Sequence, residues 1–406
     1  MAGEGGEAVV QLRTPFGGGK THTLIGLYHL IDSAADIEDE AGIRELLDDA
    51  GLEHIPHARV AVVVGTELDV NPHEVEPGVT VRTVWGHIAY QLGGKEGYEL
   101  LRTDDESRIS PSGATLRKLF ETYKRVLILL DEILVYQVRA SAVKVEDSNL
   151  QAQTFAFLQT LTEAVGSSPG TAFVTTFPES HIEYYDHENA DVVFNTLGKI
   201  FGRVEATRVP VQGEEIFEVV RRRLFESIND DSAKSTVAAY QQAYDTHQDD
   251  LPDHVRSTNY ARRMQRAYPF HPELIDVLYE RWGTLQTFQK TRGVLRLLAR
   301  VVEYGYMSPS ARPLIGIGDV GLDDPDLRAT VVTILRGSNW DPVLASDVIP
   351  EDGKAYLLDK ERGDQYAKQK LCETITKAVF MYSHSGGGER GVQKARLTFA
   401  LMNRRT

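Results

Sequence analysis

A glycine-rich segment near the N-terminus has residue types that suit phosphate binding. It lies between an apolar stretch and a segment with helical spacing, and contains Thr14, Gly17, Gly18, Gly19, Lys20, Thr21 and His22. Glycines let successive N–H groups point at one anion, and the N-terminus of the following helix adds partial positive charge. In such a loop Lys20 reaches the β- and γ-phosphates, and the Thr21 hydroxyl ligates Mg²⁺. We therefore interpret residues 14–22 as a binding loop for ATP and Mg²⁺.

The loop departs at one position from the common pattern G-x-x-x-x-G-K-[ST], because Thr14 replaces the first glycine. Proline disfavours helical geometry in the preceding residue, so Pro15 keeps Thr14 extended without a positive φ. The substitution is therefore compatible with phosphate binding. A glycine-rich turn without a ligand is the alternative interpretation.

An acidic pair, Asp131 and Glu132, follows the most apolar run of the sequence, residues 126–130. At the end of a buried strand, Asp131 is suited to hold Mg²⁺ through its water shell and Glu132 to polarise an attacking water. A surface turn explains an isolated Asp-Glu pair equally well, but the preceding loop favours the catalytic interpretation. Glu132 in particular favours hydrolysis over nucleotide binding alone.

Further candidates lie near the ends of predicted strands. Thr175 and Thr176 end one strand, where a hydroxyl could orient water or sense the γ-phosphate, although strand ends often carry threonine. Thr66 follows another strand and could hydrogen-bond Glu132. Arg203 precedes the last strand and could project into the γ-phosphate site of a neighbouring subunit. Surface ion pairing is the alternative role of Arg203.

Hydrophobic patterning predicts the elements that position these residues. Strands are predicted over residues 9–12, 59–64, 126–130, 171–176 and 206–211, and helices over 20–31, 81–92 and 149–165. This alternation is typical of a parallel α/β sheet. Helical patterns then predominate over 214–228, 233–245, 272–279 and 294–304. We predict an α/β domain over residues 1–211, a helical domain over 212–306 and a C-terminal region over 307–406.

Composition excludes several classes of protein. The chain has 406 residues, of which 42% are hydrophobic and 25% charged, as in globular proteins. Its net charge of −15 argues against coating nucleic acid by charge alone. A local basic surface for DNA stays open, drawn from Arg221, Arg222, Arg223, Arg262, Arg263 and Arg266. The single cysteine, Cys372, excludes an internal disulfide, and no apolar run reaches membrane-spanning length. We expect a cytoplasmic protein without membrane contact.

The order of these motifs resembles that of the AAA+ superfamily of P-loop ATPases. The resemblance implies a parallel sheet sandwiched by helices and followed by an all-α lid. It also implies the sensor 1 role for Thr175 and Thr176 and the arginine-finger role for Arg203. Sensor 2 would be Arg292, or as second choice Arg296, in the segment 289–298.

A narrower resemblance concerns three segments, residues 14–24, 129–136 and 221–225. They are similar to predicted prokaryotic ATPases of the domain-of-unknown-function 499 family, whose loop also lacks the first glycine. The resemblance covers most of residues 7–304 and implies an association with anti-phage islands. Because members tend to be longer, we expect the chain to be a fragment or truncated, with residues 307–406 as an incomplete, winged-helix-like domain.

These observations predict an ATPase that couples Mg²⁺-dependent ATP hydrolysis to remodelling of DNA or a partner protein. Proteins of a defence complex are candidate partners. A homo-oligomer is expected, because Arg203 would act on a neighbouring subunit. Two alternatives stay open. One is a nucleotide-gated scaffold that binds ATP with negligible hydrolysis, and the other is a P-loop kinase.

Overall fold

A computed structural model provides the structure. It describes residues 7–14, 19–32, 37–178, 190–202, 206–208, 214–285, 287–288, 290–307, 312–335, 340–349, 353–385 and 390–402. Among the predicted site residues, Gly17, Gly18 and Arg203 lie outside these ranges, as does the side chain of Thr14. The chain divides into two compact units, residues 1–210 and residues 211–406.

The first unit contains a five-stranded sheet. Its strands are β1 (Val9–Thr14), β2 (Arg59–Val64), β3 (Val126–Asp131), β4 (Thr171–Pro178) and β5 (Ala206–Arg208). All neighbouring strands are parallel, in the order β2-β3-β4-β1-β5. The predicted parallel α/β sheet is therefore confirmed.

Helices cover both faces of this sheet. They are α1 (Lys20–Asp32), α2 (Ala41–Ala50), α3 (Val84–Glu99), α4 (Arg102–Ser107), α5 (Gly113–Tyr123), α6 (Ile133–Ala140), α7 (Leu150–Gly166) and α8 (Ala190–Phe201). Leu127 and Leu129 of β3 pack with Leu24 of α1, whereas Ile128 and Leu130 belong to the core of the opposite face. Every residue of β3 is buried, because a parallel strand covered on both faces has no solvent side.

Some local features differ from the prediction. The helix predicted over residues 81–92 begins at Val84 and is interrupted, as predicted, at Gly93 and Gly94, whose backbone is not helical; a second helical stretch, also counted in α3, then continues to Glu99. Two short hairpins were not predicted. They pair His73–Glu76 with Val79–Val81, and Lys144–Val145 with Ser148–Asn149.

The second unit is helical in its described residues, apart from one isolated β-bridge. Its helices are α9 (Glu215–Leu224), α10 (Asp230–Thr246), α11 (Thr258–Ala267), α12 (Pro272–Asp276), α13 (Lys290–Met307), α14 (Pro325–Ile334), α15 (Trp340–Asp347), α16 (Lys354–Glu361), α17 (Asp364–Gln369), α18 (Leu371–Tyr382) and α19 (Lys394–Leu401). Short 3₁₀ and π turns connect some of these helices. In the described ranges of the chain, none of the helices has both the length and the apolar character that crossing a membrane requires.

One hydrophobic core joins residues on both sides of position 306, where the sequence pattern predicts a domain boundary. Phe217 of α9 and Leu298 of α13 share it with Val331 of α14 and Tyr382 of α18. The expected boundary at residue 306 therefore does not separate two cores. The described residues after 306 contain no β-hairpin that could form the wing of a winged-helix domain.

Candidate functional site

The parallel sheet brings the predicted loop and the predicted acids to the same edge. Thr14, the last residue of β1, pairs with Pro178, and Asp131, the last residue of β3, pairs with Val64. Strand β4 lies between β1 and β3, so the loop strand and the acid strand are about 10 Å apart. Thr14, which precedes the glycines of the loop, therefore ends β1 at the same sheet edge at which Asp131 ends β3.

The loop leads directly into helix α1. Gly19 adopts a φ of 83°, a conformation that glycine reaches without steric cost. Its carbonyl oxygen accepts hydrogen bonds from the Thr23 amide at 2.9 Å and the Thr23 hydroxyl at 3.1 Å. Lys20 is the first residue of α1, and Thr21 and His22 are exposed. The first turn has no acidic residue, so its positive dipole end keeps its attraction for an anion.

A single threonine hydroxyl connects the two acids. Thr176 Oγ1 donates to Asp131 Oδ1 at 2.5 Å and accepts from the Glu132 amide at 3.2 Å. Thr176 and Asp131 are only 3% and 5% exposed. Because a buried carboxylate is costly without a hydrogen-bonding partner, this hydroxyl helps to keep Asp131 at the strand end.

Of the two threonines predicted at the end of β4, the structure places Thr176 beside the acids. The fully buried Thr175 pairs in register with Gln11 and Leu130. Its hydroxyl makes one long contact, 3.4 Å to the Thr176 carbonyl oxygen. Successive strand residues face opposite sides of a sheet, so only one of the pair can face Asp131.

Glu132 begins a sharp turn from β3 into α6. Its φ of 51° and ψ of 34° lie in the left-handed region, which costs a non-glycine residue on the order of 1–3 kcal/mol. The neighbouring backbone of Gly65 approaches closely, with its amide donating to the Asp131 carbonyl oxygen at 2.8 Å. A Cβ at position 65 would lie 2.3 Å from the Glu132 carbonyl oxygen. Gly65 is thus required here, although the sequence marks it only as the end of a strand.

The predicted sensor 2 arginines lie in the second unit. Arg292 and Arg296 are exposed on the first two turns of α13.

The arginines considered for a basic DNA surface lie mostly beside carboxylates. Arg263 contacts Asp276 at 2.9 Å and Glu214 at 3.0 Å, and Arg266 also contacts Glu214 at 3.0 Å. On α9, Arg221 lies 3.8 Å from Asp230 and Arg222 pairs with Glu218 at 2.7 Å. These carboxylates neutralise much of the cluster, so it does not form a uniformly basic surface.

A surface groove of about 400 Å³ lies elsewhere in the first unit, lined by residues of α7 and α8 together with Val9. Val9 is the first residue of β1. The groove therefore lies at the amino edge of the sheet, opposite the loop and the acids.

Two family models match the chain. One, described as the DUF499 N-terminal domain, matches residues 1–208, and the other, the DUF499 second domain, matches residues 212–395. The matched domains meet in the interval where the structure divides into two units. No curated protein matches the chain.

Proposed function

The chain belongs to the DUF499 family, and we propose that it is a Mg²⁺-dependent ATPase of the AAA+ type. The observation that carries the proposal is the position of the acids. The Thr176 hydroxyl binds the Asp131 carboxylate and the Glu132 backbone amide at the sheet edge where β1 ends before the glycine-rich segment. An anion-binding helix terminus opposite two carboxylates suits a nucleotide whose phosphates carry a divalent cation.

The residues at this edge fit both the nucleotide and the cation. The Thr21 hydroxyl and the Asp131 carboxylate offer the hard oxygen ligands that Mg²⁺ prefers. The cation, when bound, supplies neutralisation of the phosphate charge that grows during transfer. Lys20, at the start of α1, would add positive charge at the β- and γ-phosphates.

Hydrolysis requires a base that orients and deprotonates water. Glu132 would accept the proton, because its carboxylate lies one residue after the cation-binding Asp131. Thr176 would hold the Asp131 carboxylate and the Glu132 backbone in fixed positions through its two hydrogen bonds. The chemistry is then positional and electrostatic, without a covalent intermediate.

The AAA+ assignment extends the proposal beyond the first unit. The helical second unit would act as the lid, with Arg292 or Arg296 approaching the nucleotide. Arg203 would act on the γ-phosphate of a neighbouring copy in a homo-oligomer. Motion of the lid would remodel DNA or a partner protein. The resemblance to DUF499 proteins implies that this takes place in a prokaryotic anti-phage system.

Phosphate release from the wild type, Lys20→Ala and Glu132→Gln tests the proposal. We expect Lys20→Ala to weaken binding of a fluorescent ATP analogue. Glu132→Gln should bind it normally, with turnover lowered about 100-fold or more to a small but measurable residual rate. Lys118→Ala is the matched control, because Lys118 is exposed on α5, away from the sheet edge. Equal turnover in all variants would refute the ATPase proposal.

Two other outcomes of these measurements select the alternatives. Tight ATP binding without turnover at any protein concentration indicates a nucleotide-gated scaffold. A phosphorylated acceptor in place of free phosphate indicates a kinase. A steep rise of the turnover rate with protein concentration supports an arginine supplied by a neighbouring copy.

A further inference from the structure

Arg139 connects two segments of the acidic edge that are far apart in the sequence. Its Nη2 donates to the carbonyl oxygens of Gly65 and Thr66, at 3.0 Å for Thr66. These carbonyls directly follow strand β2, whereas Arg139 lies in the last turn of α6. Helical side chains point toward the helix N-terminus, so the guanidinium extends back toward Glu132, where α6 begins.

The segment that Arg139 holds is the one packed against the Glu132 turn. The Gly65 amide donates to the Asp131 carbonyl oxygen at 2.8 Å, and a Cβ on Gly65 would overlap the Glu132 carbonyl oxygen. A left-handed glutamate persists only where its surroundings over-determine its conformation. Through its two hydrogen bonds, Arg139 fixes residues 65 and 66 to α6, the helix that directly follows Glu132.

We propose that Arg139 is a positioning residue for Glu132, an inference that rests on the proposed ATPase. By holding residues 65 and 66 against α6, Arg139 keeps the Glu132 carboxylate in one orientation toward the attacking water. Arg139 acts through the backbone of residues 65 and 66, to which its guanidinium donates. One guanidinium nitrogen, Nη2, serves both acceptors. The ammonium group of a lysine sits on a more flexible stem and would hold them less rigidly, so lysine would replace Arg139 only in part.

The experiment compares Arg139→Ala, Arg139→Lys and the control Arg102→Ala. Arg102 is also an exposed arginine near a helix end in the first unit, but it pairs with Glu99 and Glu106 on the surface. We expect Arg139→Ala to lower kcat about 10- to 100-fold, the effect of a misplaced catalytic group, with KM and ATP-analogue affinity unchanged within about twofold. Arg139→Lys should recover part of the loss, and Arg102→Ala should behave as wild type.

A double variant distinguishes positioning from general stabilisation. If Arg139 acts through Glu132, adding Arg139→Ala to Glu132→Gln should not lower the residual turnover further. A further loss as large as in the wild-type background would overturn the proposal. A lower melting temperature with unchanged kcat would also overturn it.

Hydrogen exchange keeps this inference separable from the proposed function. Peptides covering residues 65–68 and 132–136 should exchange about tenfold faster in Arg139→Ala, whereas β4 peptides should not change. If the wild type releases no phosphate, the ATPase proposal fails, and this measurement alone decides whether Arg139 holds the turn. Unchanged exchange in both peptides would show that it does not.

Discussion

Replacing Thr176 with valine should damage both stability and turnover. The substitution keeps the side-chain shape but removes the hydroxyl that donates to Asp131 at 2.5 Å and accepts from the Glu132 amide at 3.2 Å. Thr176 is 3% exposed, so water cannot fully replace either bond. One lost bond involves a charged carboxylate and the other leaves an amide without that acceptor, at about 1–3 kcal/mol each. We therefore expect a loss of about 3 kcal/mol in the free energy of unfolding.

The neighbouring threonine provides a matched control. Thr175→Val is also a buried change in β4, but among the described residues the Thr175 hydroxyl makes only the 3.4 Å contact with the Thr176 carbonyl oxygen. This variant should lose less than about 1 kcal/mol, since a long contact contributes little. Thr176→Ser keeps the hydroxyl and should retain most of the turnover.

Urea denaturation and phosphate release together test this reasoning. Denaturation midpoints at constant m-value give the stability difference. Thr176→Val should lower kcat by at least tenfold, while binding of an ATP analogue persists. Equal stability losses in Thr175→Val and Thr176→Val would refute the argument, as would a Thr176→Ser variant as inactive as Thr176→Val.

Two further predictions concern Gly65 and His87. Gly65→Ala should lower the free energy of unfolding by about 3 kcal/mol or more, because its Cβ would lie 2.3 Å from backbone. Gly26→Ala is the control, because nothing lies within 4 Å of its added Cβ, and it should be neutral or stabilising. Equal urea midpoints for Gly65→Ala and Gly26→Ala would contradict this prediction. Burial, followed by the charge of His73, lowers the pKa of His87 from 6.5 to about 4. As the pH falls, the unfolded chain protonates His87 before the folded chain does. Between pH 7 and 5 the free energy of unfolding of the wild type should therefore fall by about 2 kcal/mol more than that of His87→Leu. Parallel stability curves for the two proteins would contradict it.

Much of the candidate site follows from local sequence. The strand and helix flanking the glycine-rich loop are adjacent in the chain, and the apolar run before Asp131 is a continuous local signal. Parallel strands end at the same edge, so a correct prediction of β1 and β3 already places the loop and the acids together. The parallel α/β fold class could therefore be predicted from hydrophobic periodicity and composition alone.

Other features depended on contacts between distant segments. Cross-strand register selected Thr176 rather than Thr175 as the partner of Asp131. The close approach of Gly65 and the bonds from Arg139 to the end of β2 join residues more than 60 positions apart. No local pattern encodes such pairings, because they arise when β2 pairs with β3 and α6 folds back along that edge.

The second unit shows the same division between local and tertiary information. Its helices follow from apolar spacing within each segment, and this spacing predicts several of them. Whether residues beyond 306 have a core of their own depends on which helix faces meet. The structure joins Leu298 with Val331 and Tyr382 in one core. An apolar stripe records that a helix face is buried but not against which partner, so only the tertiary structure could decide this point.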